Sequence, residues 1–409
     1  MTTAEIVIDS IAAGGDGVGR ANGVVVFVPR SARGDRVRIE LDNRKRFSRG
    51  AIREIVDPSP DRIDPLCYHY RVDRCGGCQL QHVRYDAQLE AKRVIIRDSL
   101  ARIGRRQVEL PEIEASPEPW RYRRKLTLGM RRARSGEWTI GLHPFDDPVN
   151  VFQLADCPIT DERVVAIWRE VIRSRRHFPV ADELRASVRL LDGGAAVVME
   201  GGNEWPDRLA FFEAVPSATA LWWTPAHRPR ALIARRGEPG AGASFAQVNA
   251  AMGARLHEFV LERARDYGAA TALDAYAGSG ATAIPLARAG TRVIAVEADR
   301  EASARCAAEL PEGSRAIAAR VEEVMSDVLP VDLVLVNPPR IGLHERVTAQ
   351  LQHVQAAPRG IIYVSCDPPT LARDLARMPR YRIAGLRAFD MFPQTAHVET
   401  VCELVPEAA

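Results

Sequence analysis

Ile361-Ile362-Tyr363-Val364 is an apolar run that ends in Ser365-Cys366 and is cut off by Asp367-Pro368-Pro369. An unbroken run of this kind reads as a strand buried on both faces, and the proline pair stops the chain from continuing as sheet. Strands buried on both faces belong to mostly parallel sheets covered by helices, which bind ligands beyond the carboxyl ends of their strands. Three further runs fit the same plan. Ala270–Tyr276 leads into Ala277-Gly278-Ser279-Gly280-Ala281-Thr282, Val293 runs to Glu297, and Asp332–Val336 ends in Asn337-Pro338-Pro339-Arg340. The segment from about Gly242 opens with Ser244-Phe245-Ala246-Gln247-Val248-Asn249, continues as a helix to about Arg265, and closes with Phe389–Thr395 and His397–Val401. The expected fold class is α/β, with a Rossmann-like C-terminal domain over 241–409. Its strand ends should gather Gly278, Glu297, Asn337 and Cys366 in one crevice.

The glycine turn between strand and helix lets backbone approach a ligand closely, and Glu297 stands where it could hold two ribose hydroxyls. The dinucleotide pattern lacks its third glycine, and a phosphate-loop lysine is missing. S-adenosylmethionine, which has a ribose but no phosphate, therefore suits the turn better than NAD or ATP.

Upstream, residues 1–57 read as short strands, Glu5–Ile11, Gly23–Pro29, Asp35–Leu41 and Phe47–Val56, with Gly14–Gly17 and Ser31–Gly34 as turns. Alternation such as Val37, Ile39 and Leu41 suits a small OB-like β-barrel. Arg30, Arg33, Arg36, Arg38, Arg44, Lys45, Arg46 and Arg49 crowd it, which suits a reader of single-stranded nucleic acid. The net charge of the whole chain, +3, is too small to argue for such a partner, so any basic surface must be local.

Asp57–Pro60 is a linker into a mixed α/β central domain, 58–240. Three of the seven cysteines crowd its start: Cys67, Cys75 and Cys78. A C-x2-C pair with a third cysteine upstream points to a tetrahedral thiolate site, zinc or iron–sulfur. Cys157 is the best candidate for the fourth ligand, with His69 or His82 as the alternative that would favour zinc. A helix over Asp86–Ile103 should bury Leu89, Val94, Ile95 and Leu100. Trp120-Arg121-Tyr122-Arg123-Arg124-Lys125 combines aromatics with charge and is a candidate RNA contact. There is no run of about 18 apolar residues and no basic-then-apolar start. No membrane, secretory signal or obligate protein partner is expected, and the cytoplasm is the expected compartment.

Taken together, YVSCDPPTLARDL, NPPRIGL, SFAQVN and DMFPQTAHVE resemble the RNA uracil-5-methyltransferase family over nearly the whole chain. The pattern Ile6–Ile11, Gly14–Gly19, Val24–Pro29 and Gly34-Asp35 resembles a TRAM domain. That start and the cysteine pattern are similar to the family's ribosomal-RNA branch, whose members carry a 4Fe-4S cluster. The resemblance implies S-adenosylmethionine as methyl donor, Cys366 as nucleophile and Glu399 as base. It also implies a cofactor and base site lined by Gln247, Tyr276, Gly278, Gly280, Glu297 and Asn337, and a cluster on Cys67, Cys75, Cys78 and Cys157. The implied substrate is a uridine of RNA, 23S rRNA before tRNA. The uridine would be unstacked and turned into the pocket.

The chain departs from the family pattern at four places. Asn337 stands for the usual Asp, Asp367 for the Asn after Ser-Cys, Ala277 for a cysteine of the glycine turn, and Cys67 and Cys75 lie further apart than usual. Asn337-Pro338-Pro339 also suits N-methylation of an RNA base, a rival that leaves Cys366 and Glu399 idle. A third reading is an RNA-binding module whose transferase site has decayed.

Overall fold

The computed structural model describes residues 2–43, 47–191, 193–237 and 247–407. Arg44, Lys45 and Arg46 of the basic barrel, and Ser244, Phe245 and Ala246 of the SFAQVN segment, lie outside the described residues.

The N-terminal segment closes as a barrel of β1 (Thr2–Ile11), β2 (Gly17–Ala21), β3 (Val24–Val28), β4 (Arg36–Asn43) and β5 (Ser48–Asp57), in the order β1-β2-β3-β5-β4. Ile6, Ile8, Val26, Val28, Val37 and Ile39 fill its interior. Strand β2 was not foreseen: the sequence analysis placed a turn at Gly14–Gly17 and assigned no strand to the residues that follow. A Cβ at Gly17 would stand 2.0 Å from Ser31 Oγ, so a strand can pass here only without a side chain. Among the described residues, several of the arginines expected to face RNA also have protein partners, three of them in ion pairs on the barrel surface. Arg36 pairs with Asp57, Arg38 with Glu54, and Arg49 with Asp16. Arg30 donates to the carbonyls of Tyr70 and Cys75, tying the barrel to the cysteine loop.

The next strand, β6 (Glu112–Glu114), precedes a seven-stranded central sheet. That sheet comprises β7 (Lys125–Arg132), β8 (Trp138–Leu142), β9 (Phe152–Gln153), β10 (Glu183–Leu191), β11 (Gly194–Glu200), β12 (Ala220–Thr224) and β13 (Ala231–Arg235). Its core joins Leu128, Met130, Trp168, Trp205 and Phe211 to Cys67, Cys78 and Cys157.

The C-terminal sheet contains β14 (Thr271–Ala275), β15 (Arg292–Glu297), β16 (Arg315–Ala318), β17 (Leu333–Val336), β18 (Gly360–Ser365), β19 (Tyr381–Phe389) and β20 (Glu399–Pro406). The order is β16-β15-β14-β17-β18-β20-β19-β6, parallel from β16 to β18, with β20 antiparallel to both its neighbours. Strand β16 was not foreseen, and β6 joins from far upstream. Ile361 and Tyr363 pack into the core on one face, Ile362 and Val364 into that on the other. Full burial of each such side chain contributes about 1.5–3 kcal/mol, which is why this run is apolar at every position. Strand order reverses at β14, so the ends of β14 and β17 form the switch point where such sheets bind ligands.

The helix Tyr85–Arg102 packs on this C-terminal sheet through Ile96 and Leu100. The expected apolar stripe is only half right. Leu89 and Val94 are merely half-buried, while Gln88 and Lys92 are fully buried. Their polar ends are bonded across the interface, Lys92 Nζ to Asp390 and Gln88 to Gln394, so the helix can bury a polar face.

Candidate active site

The crevice forms at the carboxyl ends of the parallel strands. Beyond β14 the chain turns through Tyr276 (φ +64°), Gly278 (φ +56°) and Gly280 (φ +90°). A Cβ at Gly278 would meet nothing within 4 Å, whereas one at Gly280 would stand 2.6 Å from Cys306 Sγ. Gly278 thus keeps an open face, and Gly280 lets the helix start pack closely. The Gly278 amide donates to Glu297 Oε2 (3.0 Å) and the Asp299 amide to Oε1 (2.7 Å), which fixes the carboxylate beside the turn. Asn337 is exposed at the end of β17, its amide 3.3 Å from Ala275 O at the end of β14. Gln247 is half-buried, its stem lying over Gly253. Tyr276 packs against the apolar core below the turn.

Asp274 is a residue the sequence analysis passed over. It is buried in β14, and its Oδ2 has no hydrogen-bond partner among the described residues. Burial, with Glu297 as a lesser cause, raises its carboxyl to about 7. A lone acid inside an apolar strand just before a glycine turn was the available signal.

Cys366 and Glu399 are brought together by strand register. The last pair of β18 with β20 is Ser365 with Thr400, and the next step along the same antiparallel register sets Cys366 opposite Glu399. Cys366 is half-buried, and its thiol is pushed up to about 11 by burial and then by the Glu399 carboxylate, with Arg340 pulling it down. Glu399 is buried, and desolvation raises its carboxyl to about 7 against the opposing pull of Arg340. Arg340, not singled out before, is thus a cation shared by both groups. Asp367 accepts from the Thr370 amide (2.8 Å) and caps the helix Pro368–Ala376, with proline in its first turn. An acid in the usual Asn position is therefore a working cap, although its carboxylate adds to the upward push on the Cys366 thiol. His397 is held neutral, lowered to about 4 by burial and then by Arg340 and Lys92.

Cys67, Cys75, Cys78 and Cys157 are all buried, unbridged, and close enough that each influences the ionisation of others in the set. Hydrogen-bond donors face several sulfurs: backbone groups of His69 and Tyr70 toward Cys67, Gly77 N toward Cys75 (3.4 Å), and the Ile159 backbone toward Cys157. Such donors suit thiolate ligands. Among the described residues, however, no group of three or more His, Cys, Asp or Glu side chains is arranged to hold a metal ion. The histidine alternative loses His69, whose nitrogens are taken by Asp73 (2.7 Å) and the Ala155 amide (3.0 Å). His82 binds Tyr70 OH at 2.7 Å through Nδ1. Within the Trp120–Lys125 stretch Tyr122 is buried and the other five side chains are half-buried. Arg121 grips Asp156 with both terminal nitrogens and the carbonyls of Cys157 and Thr160, and Tyr122 is buried with its hydroxyl on Pro393 O.

A reversed strand beside the parallel strands and a glycine turn answered by an acid are the fold and cofactor crevice of an S-adenosylmethionine-dependent methyltransferase. The model of the tRNA (uracil-5-)-methyltransferase family matches residues 303–405. An uncharacterised RNA methyltransferase of Thermosynechococcus vestitus is 32% identical, with 98% of each chain covered. Another, from Synechocystis, is 31% identical over 99% of this chain and 95% of that one. In structure the chain is similar to the tRNA (uracil-54, C5)-methyltransferase of Pyrococcus abyssi, solved in complex with S-adenosyl-L-homocysteine. That match has a TM-score of 0.73 and 25% identity, covering 98% of this chain and 99% of the other. The chain belongs to the RNA (uracil-5-)-methyltransferase family.

Proposed function

We propose that this enzyme methylates carbon 5 of a uridine in RNA. The observation that carries the reading is that Cys366 follows the last residue of β18 and Glu399 opens the adjacent β20, close enough for its carboxylate to act on the thiol. Carbon 5 of uracil is a poor nucleophile until a thiolate adds at carbon 6. Cys366 makes that bond, S-adenosylmethionine supplies the methyl group, and Glu399 then removes the carbon 5 proton. The electron pair of that C–H bond restores the ring double bond, and the thiolate of Cys366 leaves. Gly278, Glu297, Gln247 and Tyr276 hold the donor, with Gly280 shaping the turn. Asn337 offers a donor and an acceptor to the uracil edge. The test is an adduct between the protein and 5-fluorouridine RNA that disappears in Cys366→Ala.

The four-cysteine pattern supports ribosomal RNA as the substrate. Transfer RNA is the second reading, because the Pyrococcus abyssi enzyme that matches over 98% of this chain acts on tRNA. Mapping 5-methyluridine in RNA from a deletion strain separates them. Cys67, Cys75, Cys78 and Cys157 are proposed to hold a 4Fe-4S cluster, supported by their shared burial and the donors facing their sulfurs. Iron and sulfide in protein purified without oxygen would support it, and stoichiometric zinc would replace it. The N-terminal barrel serves, in this reading, as a TRAM-type RNA-holding domain. No helix among the described residues is long and apolar enough to cross a membrane, and the cytoplasm is the proposed setting.

A further inference from the structure

Between β19 and β20 the chain runs through Asp390–His397 and delivers Glu399 to its place opposite Cys366. Asp390, Met391, Gln394, Thr395 and Ala396 are at most 3% exposed. A buried connection is unusual because its backbone polar groups must find partners inside the protein. Here the partners come from far upstream. Phe392 O accepts from Lys92 Nζ (3.1 Å) and Pro393 O from Tyr122 OH (3.0 Å).

Gln394 is held most tightly. Its carbonyl accepts from the amides of Gln79 (3.2 Å) and Leu80 (3.0 Å), the two residues that follow Cys78. Its amide donates to Gln88 Oε1 (3.0 Å), and Gln88 Nε2 donates to its side-chain oxygen (3.0 Å). Gln88 Nε2 also reaches Leu80 O and Val83 O. All of this holds Gln394 at φ +69°, a left-handed conformation that a glutamine adopts only when its surroundings over-determine it.

We infer that Gln394 is a positioning residue for the proton-removal stage of the reaction. The Gln88–Gln394 clamp fixes the loop so that Glu399 stays within reach of the carbon 5 proton. Through Gln79 and Leu80 it makes that placement depend on the segment carrying Cys75 and Cys78. The inference rests on the assignment of Cys366 and Glu399 made above. The base acts only after Cys366 has added and the methyl group has moved. A slackened loop therefore leaves methylated RNA attached to Cys366, because the carbon 5 proton stays on and the carbon–sulfur bond cannot break.

The test uses the full chain as Gln394→Gly and Gln88→Leu, with methyl-labelled S-adenosylmethionine and unmodified RNA from a deletion strain. Glycine is at ease at φ +69°, so the first variant reports loss of the side-chain clamp without added strain. Both variants should bind RNA like the parent, accumulate labelled protein–RNA adduct on denaturing gels, and release 5-methyluridine RNA about tenfold or more slowly. Hydrogen exchange at 79–80 and at 394–399 should quicken together. Parent-like release without adduct overturns the inference. So does equal loss of adduct formation and release in folded variants, which would make the clamp a general brace. Glu399→Gln should accumulate the same adduct and Cys366→Ala none; if those two controls fail, the assignment of the catalytic pair is what falls.

Discussion

Cys366 and Glu399 face each other one step beyond Ser365 and Thr400, the last register pair of β18 and β20. The sheet register sets the two positions side by side, and the clamped loop before β20 holds Glu399 there without any direct bond between the two groups. The Glu399 carboxylate opposes ionisation of the Cys366 thiol, and the Arg340 charge offsets part of that cost.

Replacing each member separates the stages of the reaction. Cys366→Ala should lower turnover by about a thousandfold or more, as loss of a nucleophile does. Glu399→Gln should slow product release by about 10²–10⁴-fold while leaving adduct formation intact. Single-turnover assays that count adduct and free product check both.

Glu399 also links activity to stability. Its carboxyl is raised to about 7 in the folded protein, above the ordinary 4.5, so folding favours the protonated form. The stability this group contributes is complete below the ordinary value and is lost as pH rises through about 7. Glu399→Gln removes that buried charge and should raise stability at pH 8 by on the order of 2 kcal/mol, with little effect at pH 5. Thermal melts at the two pH values decide it. Product release in the parent should rise with pH through about 7, because the base must be ionised.

Lys92 and Asp390 form an ion pair with both side chains fully buried, and Tyr85 OH donates to the same carboxylate at 2.8 Å. Lys92→Met leaves the Asp390 charge without its cation and should destabilise the protein by about 3–5 kcal/mol. Urea denaturation would show a lower midpoint, and a midpoint equal to the parent's would refute the claim.

The two glycines of the turn should respond differently to alanine. At Gly280 a Cβ would collide with Cys306 Sγ and Ile284, so Gly280→Ala should cost about 1–3 kcal/mol in stability. At Gly278 the Cβ meets nothing, but φ +56° is unfavourable and the open face is filled. Gly278→Ala should chiefly weaken binding of S-adenosyl-L-homocysteine, as calorimetry would show.

Local pattern reached far in this chain because the C-terminal strands are buried on both faces. Runs such as Ile361–Val364 must be apolar throughout, and the residues after them, Gly278, Asn337 and Cys366, must end in the crevice of any such sheet. Where a glycine-rich stretch was a strand, as at Gly17–Ala21, pattern failed because packing against Ser31 demands glycine in the same way that a turn does. It failed again at Gln88 and Lys92, polar residues whose burial depends on Gln394 and Asp390 some 300 positions away.

By itself the sequence determined the parallel sheet and the glycine turn, since each follows from side-chain polarity at short range, and its resemblance to a known family named the candidate nucleophile. Only the tertiary structure decided that Glu399 stands opposite Cys366 and that Arg340 serves both. It alone showed that Arg121 holds Asp156 and that the Tyr122 hydroxyl reaches Pro393. Those outcomes depend on strand order and register, and contacts between residues far apart in the chain leave no local pattern to read.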